Sequence, residues 1–467
     1  MVANTIIFKY RHGGMLESKF TRLMVRPLDK KIVLIGAGST AFGTQMFSDL
    51  FLSETLPGST IVLHDINREK LEIVHEVIEK ENQIRDNPYS VEWTTDRQVA
   101  LQDADFIISS IEIGNRMELW RLDREIPRKH GSKQILGECG GPGGALHAFR
   151  IIPHVVEIVQ DVEKICPGAF FINLSNPLAR VCLAIKRATK NLKFVGLCHQ
   201  ITFLNRHLPQ MLDKKLEHLR FTVAGLNHFG FLLDLVDTSK DKDLMPEFSL
   251  KAMNYFTEHD DRFEFSTLTR ELYRRLGYFP HPGDNHIGEY LQFGHEFTKD
   301  ADMVEWIDLM DEVGHAAYIN FKRSYKRLQK GKYLKRGMML RIPSGERAIP
   351  IIESICADSS GYERSVNVPN DGLIDNLPQD LIVEVPGTVD KDGVHGQRIG
   401  KLPANIAALL RIEASIQDIC VEAVLKRSKD LAIATLATDT NVDTFEMAEA
   451  IYREAMEVQE DYMPSFS

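Results

Sequence analysis

A glycine-rich segment near the start of the chain contains the first residues whose spacing predicts chemistry. Gly36 and Gly38 follow the apolar run Lys31–Ile35, and Ala41 completes the pattern Gly-x-Gly-x-x-Ala. The first glycine permits a tight turn, the second lets a pyrophosphate approach the backbone, and the small third residue lets a helix pack closely on the strand. The N-terminus of that helix faces the phosphate charge. This pattern predicts a dinucleotide-binding site.

An acidic residue at the end of the next predicted strand indicates which dinucleotide binds. The apolar run Ile61–Leu63 leads to Asp65, whose carboxylate would accept hydrogen bonds from the adenine-ribose hydroxyls. Because the same charge repels a 2′-phosphate, the sequence predicts NAD rather than NADP. The alternative is that Gly36 and Gly38 only form a tight turn and that Asp65 only caps a helix. The order of the elements, a strand, the glycine turn, a helix, a second strand and then the acid, favours the nucleotide site. The predicted NAD-binding residues are Gly36, Gly38, Ser39, Thr40 and Asp65.

Polar residues follow several other predicted strands. Ligands bind in open α/β sheets at the carboxyl ends of the strands, where such residues gather. A thiolate from Cys198 and an imidazole from His228 could together hold a divalent metal and leave positions for substrate oxygens. Considered alone, such a Cys and His are more often buried packing residues, and we interpret Cys182 as one. The segments concerned are Gly137–Gly144, Ser175–Pro177, Val195–His199 and Gly225–Phe229.

Alternating strands and helices must position these residues. After Gly38, the residues Phe42, Met46 and Leu50 recur at four-residue spacing, which predicts a helix. Strands that alternate with helices predict a parallel, doubly wound sheet with right-handed crossovers. Further strands of this sheet are predicted at Phe106–Ser110, Phe170–Leu174 and Phe194–Leu197.

The pattern becomes mixed in the second half of the chain. Phe221–Asn227 and Leu381–Val385 are predicted strands, whereas Met303–Arg336 and Ala404–Lys429 are predicted to be largely helical. We therefore predict an α/β fold, with an N-terminal Rossmann sheet followed by a mixed α+β C-terminal domain. The predicted domains are an N-terminal extension (1–29), an NAD-binding Rossmann domain (30–200) and a substrate- and metal-binding domain (201–467).

Composition limits the class of protein. The 467 residues have a formal net charge of −10, which disfavours nucleic acid and anionic membranes as partners. No apolar run approaches the roughly 18 residues of a membrane-spanning helix, and residues 1–29 lack the apolar core of a secretory signal. The six cysteines have no paired spacing, which is typical of reduced thiols. We therefore expect a cytoplasmic protein with no nucleic-acid or membrane partner.

The order of these motifs resembles family 4 of the glycoside hydrolases. The resemblance rests on Gly-Ala-Gly-Ser-Thr at 36–40, Ser-Asn-Pro at 175–177, Gly-x-Cys-His at 196–199 and Gly-x-Asn-His at 225–228, and it continues through 370–386. Members of that family resemble lactate and malate dehydrogenases in fold, yet hydrolyse glycosides with NAD and a divalent metal, usually manganese. The resemblance implies NAD and Mn²⁺ as cofactors and a homodimer or homotetramer.

The resemblance also implies roles for individual residues. Cys198 and His228 match the metal ligands of the family. Asn176 matches a residue that contacts sugar hydroxyls near the nicotinamide, and Glu138 stands where the family often has an acidic residue beside the substrate. The implied substrate-binding residues are Glu138, Asn176, His199 and Asn227.

Two residues are candidates for the catalytic base. Family members use a Tyr or an Asp in the segment after the second metal ligand, and here Pro-x-x-Gly-Asp resembles the α-glucosidase version, which favours Asp284 over Tyr278. The Arg that follows in that version is replaced by Ile287. Gly-Asp-Asn-His followed by Gly-Glu-Tyr resembles the α-galactosidase and α-galacturonidase branch instead. The role of His286 is left open.

The mechanism implied by the resemblance differs from the usual displacement between two carboxylates. NAD accepts the hydride from C3 of the sugar, the metal polarises the resulting ketone, a base removes the C2 proton and the leaving group departs from C1. Water then adds across the double bond, and NADH returns the hydride. Members that act on phosphorylated glycosides tend to have Asp or Asn where His199 follows Cys198. We therefore predict an unphosphorylated α-galactoside, α-glucoside or α-galacturonide as substrate.

Two other functions are compatible with the predicted fold. A 2-hydroxy-acid dehydrogenase of the lactate or malate type would need a catalytic His with an Arg that binds the substrate carboxylate, and no metal site. A non-catalytic NAD-sensing module would bind NAD without releasing an aglycone from any nitrophenyl glycoside. Function is decided by the site rather than by the fold.

Overall fold

The computed structural model describes residues 28–38, 40–260, 265–332 and 343–467. Ser39, residues 1–27 of the predicted extension and the end of the predicted helix Met303–Arg336 lie outside the described residues. The strands are β1 (Lys31–Ile35), β2 (Thr60–His64), β3 (Ser90–Thr94), β4 (Phe106–Ser109), β5 (Phe170–Asn173), β6 (Lys193–Gly196), β7 (Leu219–Leu226), β8 (Phe229–Asp237), β9 (Lys242–Asp243), β10 (Phe279–His281), β11 (Gly361–Pro369), β12 (Ile382–Asp390) and β13 (Gly393–Gly396).

The helices lie between these strands and at the C-terminal end. Short 3₁₀ turns occur at Leu216–His218, Gly288–Tyr290 and Gly294–Glu296. The α-helices are α1 (Thr40–Leu52), α2 (Arg68–Ile84), α3 (Arg97–Leu101), α4 (Arg116–Lys129), α5 (Gly141–Ile165), α6 (Leu178–Ala188), α7 (Thr202–Leu212), α8 (Met245–Glu258), α9 (Thr267–Leu276), α10 (Asp284–Ile287), α11 (Asp300–Gln329), α12 (Ala348–Ala357), α13 (Ala404–Lys426), α14 (Lys429–Thr438) and α15 (Phe445–Val458).

The first six strands form a parallel sheet in the order β3-β2-β1-β4-β5-β6. This is the strand order of a dinucleotide-binding fold, and it reverses between β1 and β4. The apolar runs form strands because helices cover the sheet: Ile32 and Val33 of β1 are fully buried. The predicted strands of this half are observed within one residue of their predicted bounds.

Antiparallel strands extend the same sheet beyond β6, in the order β6-β11-β12-β7-β8-β10. Asn367 of β11 pairs with Gly196 of β6, and Glu384 of β12 pairs with Gly225 of β7. The sheet is therefore continuous across the predicted domain boundary at residues 200 and 201. No described helix is long and apolar enough to cross a membrane.

A buried ion pair fastens the C-terminal helices to the first half of the chain. Arg150 of α5 donates hydrogen bonds to both carboxylate oxygens of Asp123 on α4, and a third to the side chain of Gln459, which follows α15. The Arg150 and Asp123 side chains are 3% and 2% exposed. Because neither charge reaches water, each depends on the other for stabilisation.

This pair predicts a large loss of stability on substitution. Asp123→Ala leaves the Arg150 charge buried without a counter-ion, so we expect the free energy of unfolding to fall by about 3 to 5 kcal/mol. Chemical denaturation followed by fluorescence would measure the change. The control is Arg398→Ala, which removes an Arg that is 68% exposed in its pair with Asp375 and should cost less than about 1 kcal/mol. Equal losses in the two variants would contradict the interpretation.

Candidate active site

The turn after β1 has the backbone that the Gly-x-Gly pattern requires. Gly36 has a φ of +88°, and a Cβ atom there would lie 2.6 Å from the carbonyl oxygen of Ser110. A side chain is therefore excluded both by conformation and by space. The N–H groups of Gly36 and Ala37 donate to the carbonyl oxygen of His64 at 2.9 and 3.1 Å, which ties the turn to β2.

Asp65 reaches this turn from the end of β2. Its Oδ2 accepts a hydrogen bond of 2.8 Å from the N–H of Gly38, and its Oδ1 accepts one of 2.8 Å from the N–H of Asn67. A Cβ on Gly38 would lie 2.7 Å from Asp65 Oδ2, so the carboxylate fills the space that a side chain would need. Helix α1 begins at Thr40, directly after the turn. The described members of the predicted NAD set therefore gather at one sheet edge.

Cys198 and His228 meet at the same edge although they are 30 residues apart. Cys198 follows β6, and His228 lies in the two-residue turn between β7 and β8. The Sγ of Cys198 is 3.3 Å from Nε2 of His228. A thiolate and an imidazole bound to one metal at about 2.3 and 2.1 Å would be separated by roughly 3.1 to 3.6 Å. The pair therefore fits a shared metal ion.

The environment of the two side chains suits metal ligands. Burial and the neighbouring His286 lower the pKa of His228, so its imidazole is neutral. Its Nδ1 is buried and has no hydrogen-bond partner among the described residues. Burial raises the pKa of the Cys198 thiol, but a coordinated thiol loses its proton to the metal. His228 also has a φ of +60°, a conformation that non-glycine residues adopt mainly where the surroundings impose it.

Asn227 braces the turn that carries His228. Its Nδ2 donates to Oε2 of Glu384 at 2.7 Å, and Asn367 donates to the same oxygen at 3.2 Å. Burial raises the pKa of Glu384. Asn227, a residue predicted to bind substrate, therefore has its side-chain amide bonded to β12.

Glu138 lies where several predicted residues converge. Its Oε1 accepts a hydrogen bond from the guanidinium of Arg116 and one of 3.4 Å from Nδ2 of Asn176. Its Oε2 is 3.7 Å from Nδ1 of His286. The structure thus brings together two of the predicted substrate-binding side chains, Glu138 and Asn176.

A second carboxylate beneath this group was not predicted. Glu289 is fully buried, and its Oε2 accepts hydrogen bonds from the N–H groups of Glu138, Cys139 and Gly140 at 2.7, 2.9 and 3.0 Å. Its Oε1 lies 3.3 Å from Nδ1 of His286. A Cβ on Gly140 would lie 2.7 Å from the Cβ of Glu289, so the glycine permits this contact.

Arg116 and its partners were also missed. Glu112 binds Nε2 of His147 at 3.1 Å and lies 3.5 Å from Nε of Arg116. Burial alone would raise the pKa of Glu112, but the charges of His147 and Arg116 outweigh it and lower that pKa to about 2. None of these residues belongs to a recognisable short motif. Sequence patterns therefore did not indicate that the fold would bring them next to Glu138.

Asp284, the favoured base, is bonded to the start of α9. Its Oδ1 accepts hydrogen bonds from the N–H of Ser266 at 3.2 Å, and from both the N–H and the hydroxyl of Thr269 at 2.8 and 2.5 Å. Its Oδ2 accepts one from the N–H of Leu268 at 2.8 Å. Both carboxylate oxygens thus satisfy donors at a helix N-terminus. The structure does not bring this carboxylate to Glu138 or Asn176.

Tyr278 and His199 differ in their relation to Glu138. Tyr278 lies at the far end of β10, whereas His199 is close enough to Glu138 for that charge to add to the rise in pKa that Glu346 causes. Tyr278 precedes β10, whose other end, at His281, pairs with Gly230 near the His228 turn. Three residues of strand separate the two ends by about 10 Å. His199 is half-exposed, and its Nδ1 lies 3.4 Å from Glu346, which raises its pKa. The roles predicted for the two residues stay predictions.

Two known proteins are similar to this chain over most of its length. The chain is 36% identical over 443 residues to an alpha-glucosidase from Erwinia rhapontici, covering 88% of this chain and 93% of the relative. It is 30% identical over 408 residues to an alpha-galactosidase from Bacillus subtilis (strain 168), covering 86% of this chain and 90% of the relative. Both relatives are aligned over nearly their whole length.

Solved structures share the fold. A 6-phospho-alpha-glucosidase from gut microorganisms, in complex with NAD and Mn²⁺, superposes with a TM-score of 0.82 at 21% identity, covering 94% of this chain and 100% of that chain. A lactate dehydrogenase from Eimeria maxima superposes with a TM-score of 0.50 at 15% identity, covering 85% of this chain and 96% of that chain. The predicted fold class is confirmed, and the fold is similar to that of this lactate dehydrogenase.

The family is shown by matches along most of the chain. Residues 31–214 match the model of the family 4 glycosyl hydrolases, and residues 223–442 match the model of their C-terminal domain. The prediction of an O-glycosidase is thereby confirmed. This chain is a glycosidase that belongs to family 4 of the glycosyl hydrolases.

Proposed function

We propose that the chain hydrolyses unphosphorylated O-glycosides with NAD and Mn²⁺ as cofactors. The observation that carries this proposal is the separation of 3.3 Å between Cys198 Sγ and His228 Nε2. This pair lies at the sheet edge that also carries the Gly36 turn, Asp65 and Asn176, each of which follows the carboxyl end of a parallel strand. A nucleotide, a metal and a sugar would therefore share one crevice.

The residues present fit both cofactors. Gly36 and Gly38 leave the backbone bare beside Asp65, and Ile66, the next residue, is 91% exposed and offers an apolar surface for an adenine ring. Cys198 and His228 are donors that divalent transition metals accept. When bound, NAD supplies a hydride acceptor and Mn²⁺ supplies a Lewis acid for the sugar oxygens.

The surroundings of Glu138 favour a sugar without a phosphate. Phosphate groups are usually held by Arg or Lys side chains that are free to donate to them. The guanidinium next to Glu138, that of Arg116, already contacts the carboxylates of Glu112 and Glu138. Asn176 and Glu138 instead offer an amide and a carboxylate, which suit sugar hydroxyls. The relatives named as an alpha-glucosidase and an alpha-galactosidase support an α-glycoside, and an α-galacturonide remains in the proposed class.

Removal of the C2 proton requires a base, for which Asp284 remains our proposal ahead of Tyr278. Asp284 directly precedes Asn285 and His286 in α10, so its backbone lies near Glu138. To accept a proton from substrate, its carboxylate must leave the donors of α9. Tyr278 lies at the far end of β10.

We also propose that the chain forms a homodimer or homotetramer in the cytoplasm. Val304, Leu309 and Val313 of α11 are between 39% and 56% exposed. Leu309 and Val313 are four residues apart and lie on one side of this helix, and adjacent exposed apolar side chains of this kind favour a surface that another subunit covers. The six free cysteines support a reducing compartment.

The reaction course gives a direct test of the mechanism. If the C2 proton is removed and later replaced from solvent, hydrolysis in D₂O gives a sugar with deuterium at C2. The experiment is run with whichever nitrophenyl glycoside turns over, from a panel of α- and β-glycosides, uronides and 6-phosphates with NAD, Mn²⁺ and reductant. Proton NMR of the product measures the label.

Direct displacement between two carboxylates leaves the C2 hydrogen in place, so a product without deuterium at C2 would exclude the elimination mechanism. We expect turnover with an unphosphorylated α-glycoside and none with the 6-phosphates. Net formation of NADH from lactate or malate, without release of nitrophenol, would support the dehydrogenase alternative.

The nucleotide site predicts a change in cofactor preference. Asp65→Ala removes the carboxylate that would bind the ribose hydroxyls and repel a 2′-phosphate, so we expect NAD affinity to fall about 10- to 100-fold and NADP to be discriminated against less. Fluorescence titration with both nucleotides measures this. The control Glu69→Ala removes the same charge from the first turn of α2 and should leave the preference unchanged. An unaltered NAD/NADP ratio in Asp65→Ala would show that the carboxylate only supports the turn.

The metal site predicts different effects for two cysteines. A chelator should abolish turnover and Mn²⁺ should restore it, whereas Cys198→Ser should need much more Mn²⁺ for the same recovery because it lacks the thiolate. Cys356→Ser is the matched control, since Cys356 is also a partly buried free thiol but lies on α12. Recovery at the same Mn²⁺ concentration in both variants would remove Cys198 from the metal site.

A further inference from the structure

The position of His286 suggests a role that the sequence left open. We propose that His286 is a third protein ligand of the divalent metal, through Nε2, and that Glu289 is the positioning residue that orients it. This inference rests on the proposed function, because it concerns the metal that Cys198 and His228 would hold. It gives the site three protein donors instead of two.

The first argument is proximity. The rings of His228 and His286 have centroids 4.3 Å apart. One ligand atom from each of Glu138, His228, His286 and Glu289 lies within 4.8 Å of all the others. Two nitrogen atoms that bind one metal at about 2.1 Å are at most about 4.2 Å apart. The two imidazoles are therefore close enough together to contribute to one metal site.

The second argument is the direction of the ring. Nδ1 of His286 lies 3.3 Å from Oε1 of Glu289. Because an ionised carboxylate only accepts hydrogen bonds, Nδ1 is the ring nitrogen that carries the hydrogen and donates this bond. Nε2 is then the nitrogen with the free lone pair. A histidine that binds a metal almost always donates its other ring N–H to such a group, which fixes its tautomer and orientation.

The third argument is how firmly the carboxylate is held. Oε2 of Glu289 accepts three backbone hydrogen bonds from Glu138, Cys139 and Gly140, between 2.7 and 3.0 Å long. A fully buried carboxylate is costly unless it is bonded in this way. These donors leave Oε1 to His286, so the imidazole is anchored through Glu289 to the backbone of the glycine-rich segment.

Charge balance agrees with this assignment. A divalent cation in a buried site requires nearby negative charge. The Cys198 thiolate would supply one charge, and the carboxylates of Glu138 and Glu289 lie beside His286. The imidazole of His286 therefore lies between the metal position and two carboxylates, where a metal-bound His is stabilised.

A neighbouring histidine provides the matched control. His281 is 1% exposed, and both of its ring nitrogens lack hydrogen-bond partners among the described residues. It belongs to the same segment but has no carboxylate to orient it. His281→Phe and His286→Phe therefore remove the same donor atoms while retaining an aromatic ring of similar volume.

The test measures metal binding instead of turnover. Full-length protein freed of metal by chelation is titrated with MnCl₂, and free Mn²⁺ is followed by electron paramagnetic resonance. We expect Mn²⁺ affinity to fall roughly 100-fold or more in His286→Phe, and about 10- to 100-fold in Glu289→Gln. His281→Phe should match the wild type. Thermal unfolding of each variant shows whether it is folded.

Wild-type affinity in a folded His286→Phe, or a larger loss in His281→Phe, would overturn the proposal. A measurement on the wild type covers the case in which a variant does not fold. Electron spin-echo modulation of its bound Mn²⁺ should show nitrogen from two imidazoles, and a single imidazole would contradict a role for His286.

The same titration separates this inference from the proposed function. If Mn²⁺ binds and depends on Cys198 but shows one imidazole, the proposed function stands and the assignment of His286 fails. If the wild type binds no Mn²⁺, or binds it independently of both Cys198 and His228, the proposed metal site itself fails.

Discussion

The buried carboxylate of Glu289 joins parts of the chain that are otherwise remote. One oxygen gathers three consecutive backbone N–H groups of the glycine-rich segment, and the other lies against His286. The conformation of this segment positions the Glu138 side chain, whose carboxylate in turn accepts hydrogen bonds from Arg116 and Asn176. The position of the Glu138 side chain thus depends on the buried carboxylate of Glu289, which is stabilised by hydrogen bonds from the protein itself.

The proposed metal site depends on a constraint of the backbone. His228 occupies the left-handed region in the turn after β7, and the next-to-last residue of that strand is Gly225, where a Cβ would meet the carbonyl oxygen of Phe229 at 2.4 Å. The side chain of Asn227, bonded to Glu384, holds this turn against β12. Strain of this kind persists only where the surroundings impose it, and here it directs an imidazole at a thiol.

Sequence patterns predicted most of the parallel sheet because its strands are buried on both faces and therefore appear as continuous apolar runs. β3 was missed since its residues, Ser90–Thr94, are mostly half-exposed and include Glu92, so no apolar run marks it. The motifs located the nucleotide turn, Cys198, His228, Asn176 and Glu138. They could not locate Arg116, because an isolated charged residue acquires meaning only when the fold brings it to its partners. Glu289 stands in the Gly-Glu-Tyr stretch of the resemblance, but nothing in that stretch showed that its carboxylate binds the glycine-rich segment. The engagement of Asp284 with α9 was equally invisible, since a carboxylate that binds a helix end looks the same in sequence as a base.

The strand order has a consequence for how the protein assembles during synthesis. β11 and β12, made from residues 361–390, lie between β6 and β7 in the sheet. The nucleotide turn needs β1, β2 and β4, all of which leave the ribosome early. The relative position of Cys198 and His228 instead depends on β11 and β12, which are translated more than 130 residues after them. Domains generally fold in the order of their synthesis. A nascent chain would therefore complete its dinucleotide crevice first and align its thiol and imidazole only when the last third had emerged, so metal capture would be a late event in the life of each molecule.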